Sequence, residues 1–143
     1  MVMVSLARRR WSLGAGALGA VSSPSQTERV HLIVLHTSDI HGRVHPHDAL
    51  ADRDFGQGLA RVAAAVRTIR GDGRVLLLDS GDTIEGSPTQ ALAFEGTVGD
   101  GKDPIVKAMN LLGYDAMAIG NHEFDRGYAD LANRVVPRAQ FPF

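Results

Sequence analysis

With 143 residues the chain has the length of one ordinary domain, and 44% hydrophobic with 22% charged residues is a globular composition that speaks against disorder and against a membrane protein. A formal net charge of -1, with no basic block beyond Arg8-Arg9-Arg10, excludes the electrostatic footprint of a nucleic-acid binder. Cysteine is absent, so disulfides, thiolate nucleophiles and Cys-based zinc sites are excluded, and any metal must be held by His, Asp, Glu or Asn.

Residues 1–29 read as an export signal and linker. The arginines precede a weakly apolar, Gly/Ala-rich stretch over residues 11–21, and Ala20-Val21-Ser22 supplies a small-residue cleavage point. The paired arginines suggest twin-arginine or general export, and so a periplasmic or extracellular destination. The stretch is too short to span a bilayer, so no stable membrane anchor is expected.

Residues 30–143 alternate strand and helix patterns. "VHLIVLH" (30–36) is a nearly continuous apolar, β-branched run, the mark of a buried strand, followed by "RVLLLD" (Arg74–Asp79) and the weaker "DAMAI" (115–119). Between the first two, Leu59, Val62, Ala63, Val66 and Ile69 recur at helical spacing, with Gly71 as a stop. Between the second and third, Asp103 fits an N-cap, Pro104 the first helical position, Ile105, Ala108, Met109 and Leu112 one buried face, and Gly113 the C′ position. A third helix is expected from near Arg126, carrying Tyr128, Leu131, Ala132 and Val135. The order βαβαβα implies an α/β fold with parallel strands. Loops fall at residues 41–56 and 82–103, the second long enough to suggest function.

In parallel sheets ligands bind beyond the carboxyl ends of the strands. Here the three strands are followed by "TSDIHG", "SGDTIEG" and "GNHEFD", each bringing metal-type residues: Asp39 and His41, then Asp82, then Asn121 and His122. Each alone has a plain structural explanation, since Asp shapes turns and a single His is more often a hydrogen-bonded structural residue than a ligand. Three consecutive strand ends of this kind are hard to ascribe to coincidence. Mixed carboxylate, imidazole and amide donors suit a pair of ions that clamp a phosphate and acidify water near neutral pH. Asp82, on the central of the three elements, is the bridging candidate, and Asn121 offers a neutral amide oxygen. His122, beside a ligand, faces substrate, and with Asp125 three residues on it can form an acid pair that protonates a leaving oxygen. Glu123 is read as bonding backbone amides in its loop. His31 and His36 are read as strand residues, and His45 and His47 as loop residues.

"SDIHG", "DSGDTIEG" and "AIGNHEFDRG" resemble the successive blocks of the calcineurin-like metallophosphoesterases, and most closely the bacterial 5′-nucleotidase branch with its UDP-sugar hydrolases and cyclic-nucleotide phosphodiesterases. The resemblance implies a four-layer α/β/β/α catalytic domain, of which this chain is the N-terminal part, with two divalent or trivalent ions (Zn, Mn, Fe or Co) and a nucleotide phosphate ester as substrate. It implies Asp39 and His41 on the first ion, Asp82 as bridge, Asn121 on the second and His122 with Asp125 as the catalytic pair. The family's later G-H and G-H-x-H blocks do not occur here, so the chain reads as truncated, its missing C-terminal part the expected partner of the site. Two other readings stand beside this: a non-catalytic half-site fragment with weak metal binding, and a receiver-type signalling domain. The receiver needs an acidic pair after the first strand, where this chain has Asp39-Ile40-His41.

Overall fold

In the strand His31–Thr37 the side chains from Leu32 onward alternate between two faces, and Ile33, Leu35 and Thr37 fall on the buried side. The computed structural model describes residues 7–10, 31–48, 52–54, 56–71, 74–87 and 103–143. Strands β1 (Ala7–Arg10), β2 (His31–Thr37), β5 (Arg74–Asp79) and β6 (Ala116–Met117) form one sheet in the order β1-β2-β5-β6, and β3 (His47–Asp48) and β4 (Arg53–Asp54) a separate antiparallel pair. β2 runs parallel to β5 from Leu32↔Arg74 to Thr37↔Asp79, and β5 parallel to β6 over Leu78↔Ala116 and Asp79↔Met117. The central strand of the three expected ones is therefore β5, which carries the Asp82 loop.

Two helices join these strands. α1 (Leu59–Arg70) buries Leu59, Val62 and Val66, and α2 (Pro104–Leu112) buries Ile105, Val106 and Met109. The α2 boundaries follow the expected chemistry. Asp103 Oδ1 accepts the N–H groups of Ile105 at 2.9 Å and Val106 at 3.1 Å, Pro104 opens the first turn, and Gly113 ends it with φ +67°. Arg70 at the end of α1 reaches across to donate to Leu112 O at 2.6 Å and Gly113 O at 2.8 Å, placing a cation on the carbonyl end of α2. Leu35 and Leu77 pack with these helices at 1% and 0% exposure, each contributing about 2 kcal/mol by removal from water.

Three local expectations are corrected. The third strand shrinks from 115–119 to Ala116–Met117: Asp115 N still donates to Leu77 O at 2.8 Å, but Leu77 N donates to the Asp115 side chain, Oδ2 at 2.7 Å, in place of a backbone carbonyl. The third helix begins at Tyr128 and is not regular: an α turn at Tyr128–Asp130 passes into a π-helical stretch, Leu131–Val135, and a 3-10 turn, Val136–Arg138, where Pro137 has no N–H to continue the ladder. Within it Leu131 and Val135 are buried, whereas Tyr128 is 74% exposed. The 41–56 loop contains the β3/β4 pair, in which His47 Nδ1 lies 3.3 Å from Asp54 Oδ1. The arginine run of residues 7–10 pairs antiparallel with β2, Arg8↔Ile33 and Arg10↔His31; the apolar part of the expected leader and residues 88–102 of the second loop lie outside the described residues. Among the described residues no helix is long and apolar enough to cross a membrane.

Candidate metal centre

All three sequence-singled loops leave the same edge of the sheet, and backbone hydrogen bonds sew them together. Asp39 N donates to Gly81 O at 3.1 Å, His41 N to Asp82 O at 3.1 Å and Gly42 N to Thr83 O at 2.8 Å, while Ala118 N donates to Asp79 O at 2.8 Å. Sheet-like pairing thus continues past the last strand residues into the loops. Ile40, 1% exposed, drives into the core between Asp39 and His41, which, like Asp82, are partly exposed.

The backbone is unusual at these positions. Asp39 has φ +56°, His41 +50° and Asp82 +54°, and among the described non-glycine residues only Asp52 shares this left-handed region. Asp tolerates it better than most residues, yet each such conformation costs on the order of 1–3 kcal/mol and persists only where surroundings over-determine it. Here the over-determination is the set of loop-to-loop hydrogen bonds. Gly81 and Gly120 let two of the loops touch: a Cβ on Gly81 would lie 2.5 Å from Gly120 N, and one on Gly120 would lie 2.3 Å from Asp82 Oδ1.

Five of the six site residues are linked by direct contacts. Asp39 Oδ1 and His41 Nε2 stand 3.8 Å apart, and Ser38 Oγ donates to Asp39 Oδ2. The His41 ring meets the His122 ring edge-on, with centroids 5.1 Å apart and an interplanar angle of 81°. His122 N donates to Asp82 Oδ1 at 3.0 Å, and His122 Nδ1 donates to Asp125 Oδ2 at 2.9 Å. The hydrogen bond to Asp125 raises the His122 pKa above its ordinary value, and the negative charges of Asp125, Asp82 and Glu123 act in the same direction. Asn121 sits exposed at the head of the 3-10 turn His122–Phe124, and its carbonyl accepts Phe124 N at 3.1 Å.

Sequence reasoning missed a buried polar layer beneath this edge. Thr37 Oγ1 donates to Asp79 Oδ2 at 2.5 Å, Thr83 Oγ1 to the same oxygen at 3.0 Å, and Gly81 N to Asp79 Oδ1 at 2.9 Å, with Tyr114 Oη 2.8 Å from Thr37 Oγ1. Burial pushes the Asp79 carboxyl up to about 6 and the Tyr114 phenol upward too. The available signal was parity: Asp79 lies on the same strand face as buried Leu77. Also missed was Glu85, 8% exposed, which accepts Arg126 Nε at 3.0 Å and whose pKa burial raises against the lowering effect of that arginine.

As donors, the carboxylate and imidazole of the Asp39–His41 pair, the carboxylate of Asp82 and the amide of Asn121 fit a divalent ion of the N/O-binding class. Among the described residues no three His, Asp or Glu groups close around one point, so the fit is that of a paired donor with further donors on adjoining loops.

The parallel strands β2, β5 and β6 thus gather carboxylate, imidazole and amide side chains at their carboxyl ends, the edge at which such sheets bind ligands. Residues 32–141 match the calcineurin-like phosphoesterase family, and the chain belongs to that family. It is 42% identical over 116 residues to a snake venom 5′-nucleotidase of Gloydius brevicauda, covering 78% of this chain and 18% of that protein. With the trifunctional nucleotide phosphoesterase protein YfkN of Bacillus subtilis it shares 36% identity over 125 residues, 82% of this chain and 8% of that one. The crystal structure of the calcineurin-like phosphoesterase YfkN from B. subtilis matches with TM-score 0.68 at 36% identity, over 79% of this chain and 36% of that one. A putative 5′-nucleotidase from Staphylococcus aureus matches with TM-score 0.67 at 25% identity, over 78% and 22% of the two chains. The chain therefore spans about a fifth or less of these curated relatives' length.

Proposed function

We propose that the chain carries the first half of a metal-dependent phosphoesterase site that hydrolyses nucleotide phosphate esters, in a protein directed to the periplasm or cell exterior. The observation that carries this reading is the contact chain from Asp39 and His41 through His122 to Asp125, with Asp82 held against it, all at one sheet edge. Family membership supports it, as do the names of the relatives, among them 5′-nucleotidases.

Members of the family typically bind two divalent metals. In this reading Asp39 and His41 would hold the first ion, Asp82 would serve both, and Asn121 would serve the second; zinc, manganese, iron and cobalt all suit such donors. When bound, the ions supply positive charge for the phosphate oxygens and acidify water. The protein's own part is orientation and proton transfer. Loop-to-loop hydrogen bonds hold the donors in place before substrate arrives. Asp125 accepts from Nδ1 of His122, fixing the ring so that Nε2 carries the proton delivered to the departing nucleoside oxygen.

The test is phosphate release from a nucleoside monophosphate by the full chain with manganese or zinc. Turnover lost on chelation and in Asp82→Asn supports the reading, whereas turnover indifferent to both rejects it. A second reading, a half-site that binds one ion weakly and does not turn over, draws on the Asp39–His41 pair at 3.8 Å and on the absence, among the described residues, of a third convergent His, Asp or Glu. Manganese binding without phosphate release is the result that selects it.

A further inference from the structure

We propose that Glu123 is a positioning residue, a carboxylate strut that sets the spacing between the Asp82 loop and the Asn121–His122 loop and thereby the affinity of the ion site. The inference rests on the reading of Asp82 and Asn121 as ligands. β6 has only two residues, and past Asp79↔Met117 one further backbone bond, Ala118 N to Asp79 O at 2.8 Å, leads up to the two functional loops. Glu123 takes over from there. Its Oε2 accepts Asp82 N at 2.9 Å and Gly120 N at 2.6 Å, and its Oε1 accepts Thr83 N at 2.8 Å and Ile84 N at 3.1 Å.

Three of these four amides belong to the other loop, about 40 residues earlier in the chain. The side chain is 4% exposed, so its charge is withdrawn from water and balanced by N–H dipoles. With two amides on each oxygen, the carboxylate is committed to the backbone, which separates its role from that of a ligand. Only a carboxylate offers two acceptor atoms and no donor here. Glutamine would turn an NH2 group against two N–H donors, and aspartate is one methylene too short to span the gap. The contacted backbone is that of Asp82 itself and of Gly120, whose neighbour is Asn121. A shift of either loop moves one ligand relative to the other.

The experiment follows manganese binding to the full chain by paramagnetic broadening of amide resonances, in the wild type, Glu123→Gln, Glu123→Asp and Asp82→Asn. Glu123→Gln is expected to weaken manganese binding about 10- to 100-fold, the usual effect of losing an outer partner of a metal site. Exchange protection of the Thr83 and Ile84 amides should fall with it, and that of the Leu35 and Leu77 amides should stay. Glu123→Asp should recover little. Unchanged manganese affinity in Glu123→Gln, alongside weakened affinity in Asp82→Asn, overturns the strut and leaves the ion site standing. Unchanged affinity in Asp82→Asn overturns the ion site itself, and the strut with it. If the Glu123 variants do not fold, hydrogen exchange of the wild type decides: amides of Asp82, Thr83, Ile84 and Gly120 protected like those of β5 support the strut, and free exchange at them overturns it.

Discussion

Nδ1 of His122 and Oδ2 of Asp125 lie 2.9 Å apart, on one side of a single 3-10 turn. Three-residue spacing on such a turn brings the two side chains over the same face, so the carboxylate stabilises the imidazolium. The His122 pKa is accordingly raised, first by that hydrogen bond. A raised histidine pKa means stabilisation that is fully present below the unfolded value of 6.5 and lost as pH rises through the higher folded value. NMR titration should show His122 protonated above the ordinary histidine range, and Asp125→Asn should bring its midpoint down. A midpoint unmoved by the substitution would show that the pair is not coupled.

Asp79 gives a slope of the same sign at lower pH. Its carboxyl is raised from 3.8 to about 6, mainly by burial, against hydrogen bonds from Thr37, Gly81 and Thr83 that pull the other way. Because the folded value is the higher, the unfolded state releases its proton first, and stability falls as pH rises from the unfolded value toward the folded one. The rise to about 6 corresponds to about 3 kcal/mol. Urea denaturation of wild type and Asp79→Asn should therefore diverge between pH 3.8 and about 6 and run parallel above it. Parallel curves throughout that window count against a buried, proton-holding Asp79.

Left-handed backbone at Asp39 makes its substitutions separable. Asn tolerates φ +56° nearly as well as Asp, so Asp39→Asn should keep stability within about 0.5 kcal/mol while weakening manganese binding. Asp39→Val places a β-branched side chain in that region and should cost about 1–3 kcal/mol of stability as well. Thermal melts of the metal-free protein check this; equal melting temperatures for the two variants contradict the positive φ.

Away from the site, α2 depends on its ends. Asp103→Ala removes an acceptor that serves both Ile105 N and Val106 N and should destabilise by about 1 kcal/mol, with Asp103→Ser recovering most of it. Denaturant midpoints are the measure.

How much of this was written in the sequence differs by element. α2 could be read almost residue by residue, because Asp103, Pro104 and Gly113 act through local backbone chemistry that needs no partner. The strand ends could be read as well, since the run of apolar residues stops where Asp39, Asp82 and Asn121 begin. The short third strand could not, because the Asp115 carboxylate takes Leu77 N, 38 residues earlier, in place of a backbone carbonyl. Nor could the Thr37–Asp79–Thr83–Tyr114 layer, whose members meet only after β2 and β5 pair. Glu123 falls between: its taste for amides was legible, but not that three of its four amides lie in the other loop.

The stitching of Asp39, His41 and Gly42 to residues 81–83 also bears on time. Loops that share a sheet's hydrogen bonds have met their ordering entropy during folding, so an arriving cation does not wait for them to close. The step left to limit capture is the shedding of the cation's own water, which is slow for magnesium and fast for larger, softer-shelled ions. In the proposed site, discrimination between metals would then be kinetic as well as thermodynamic, set by how readily each ion undresses before a frame that is already standing.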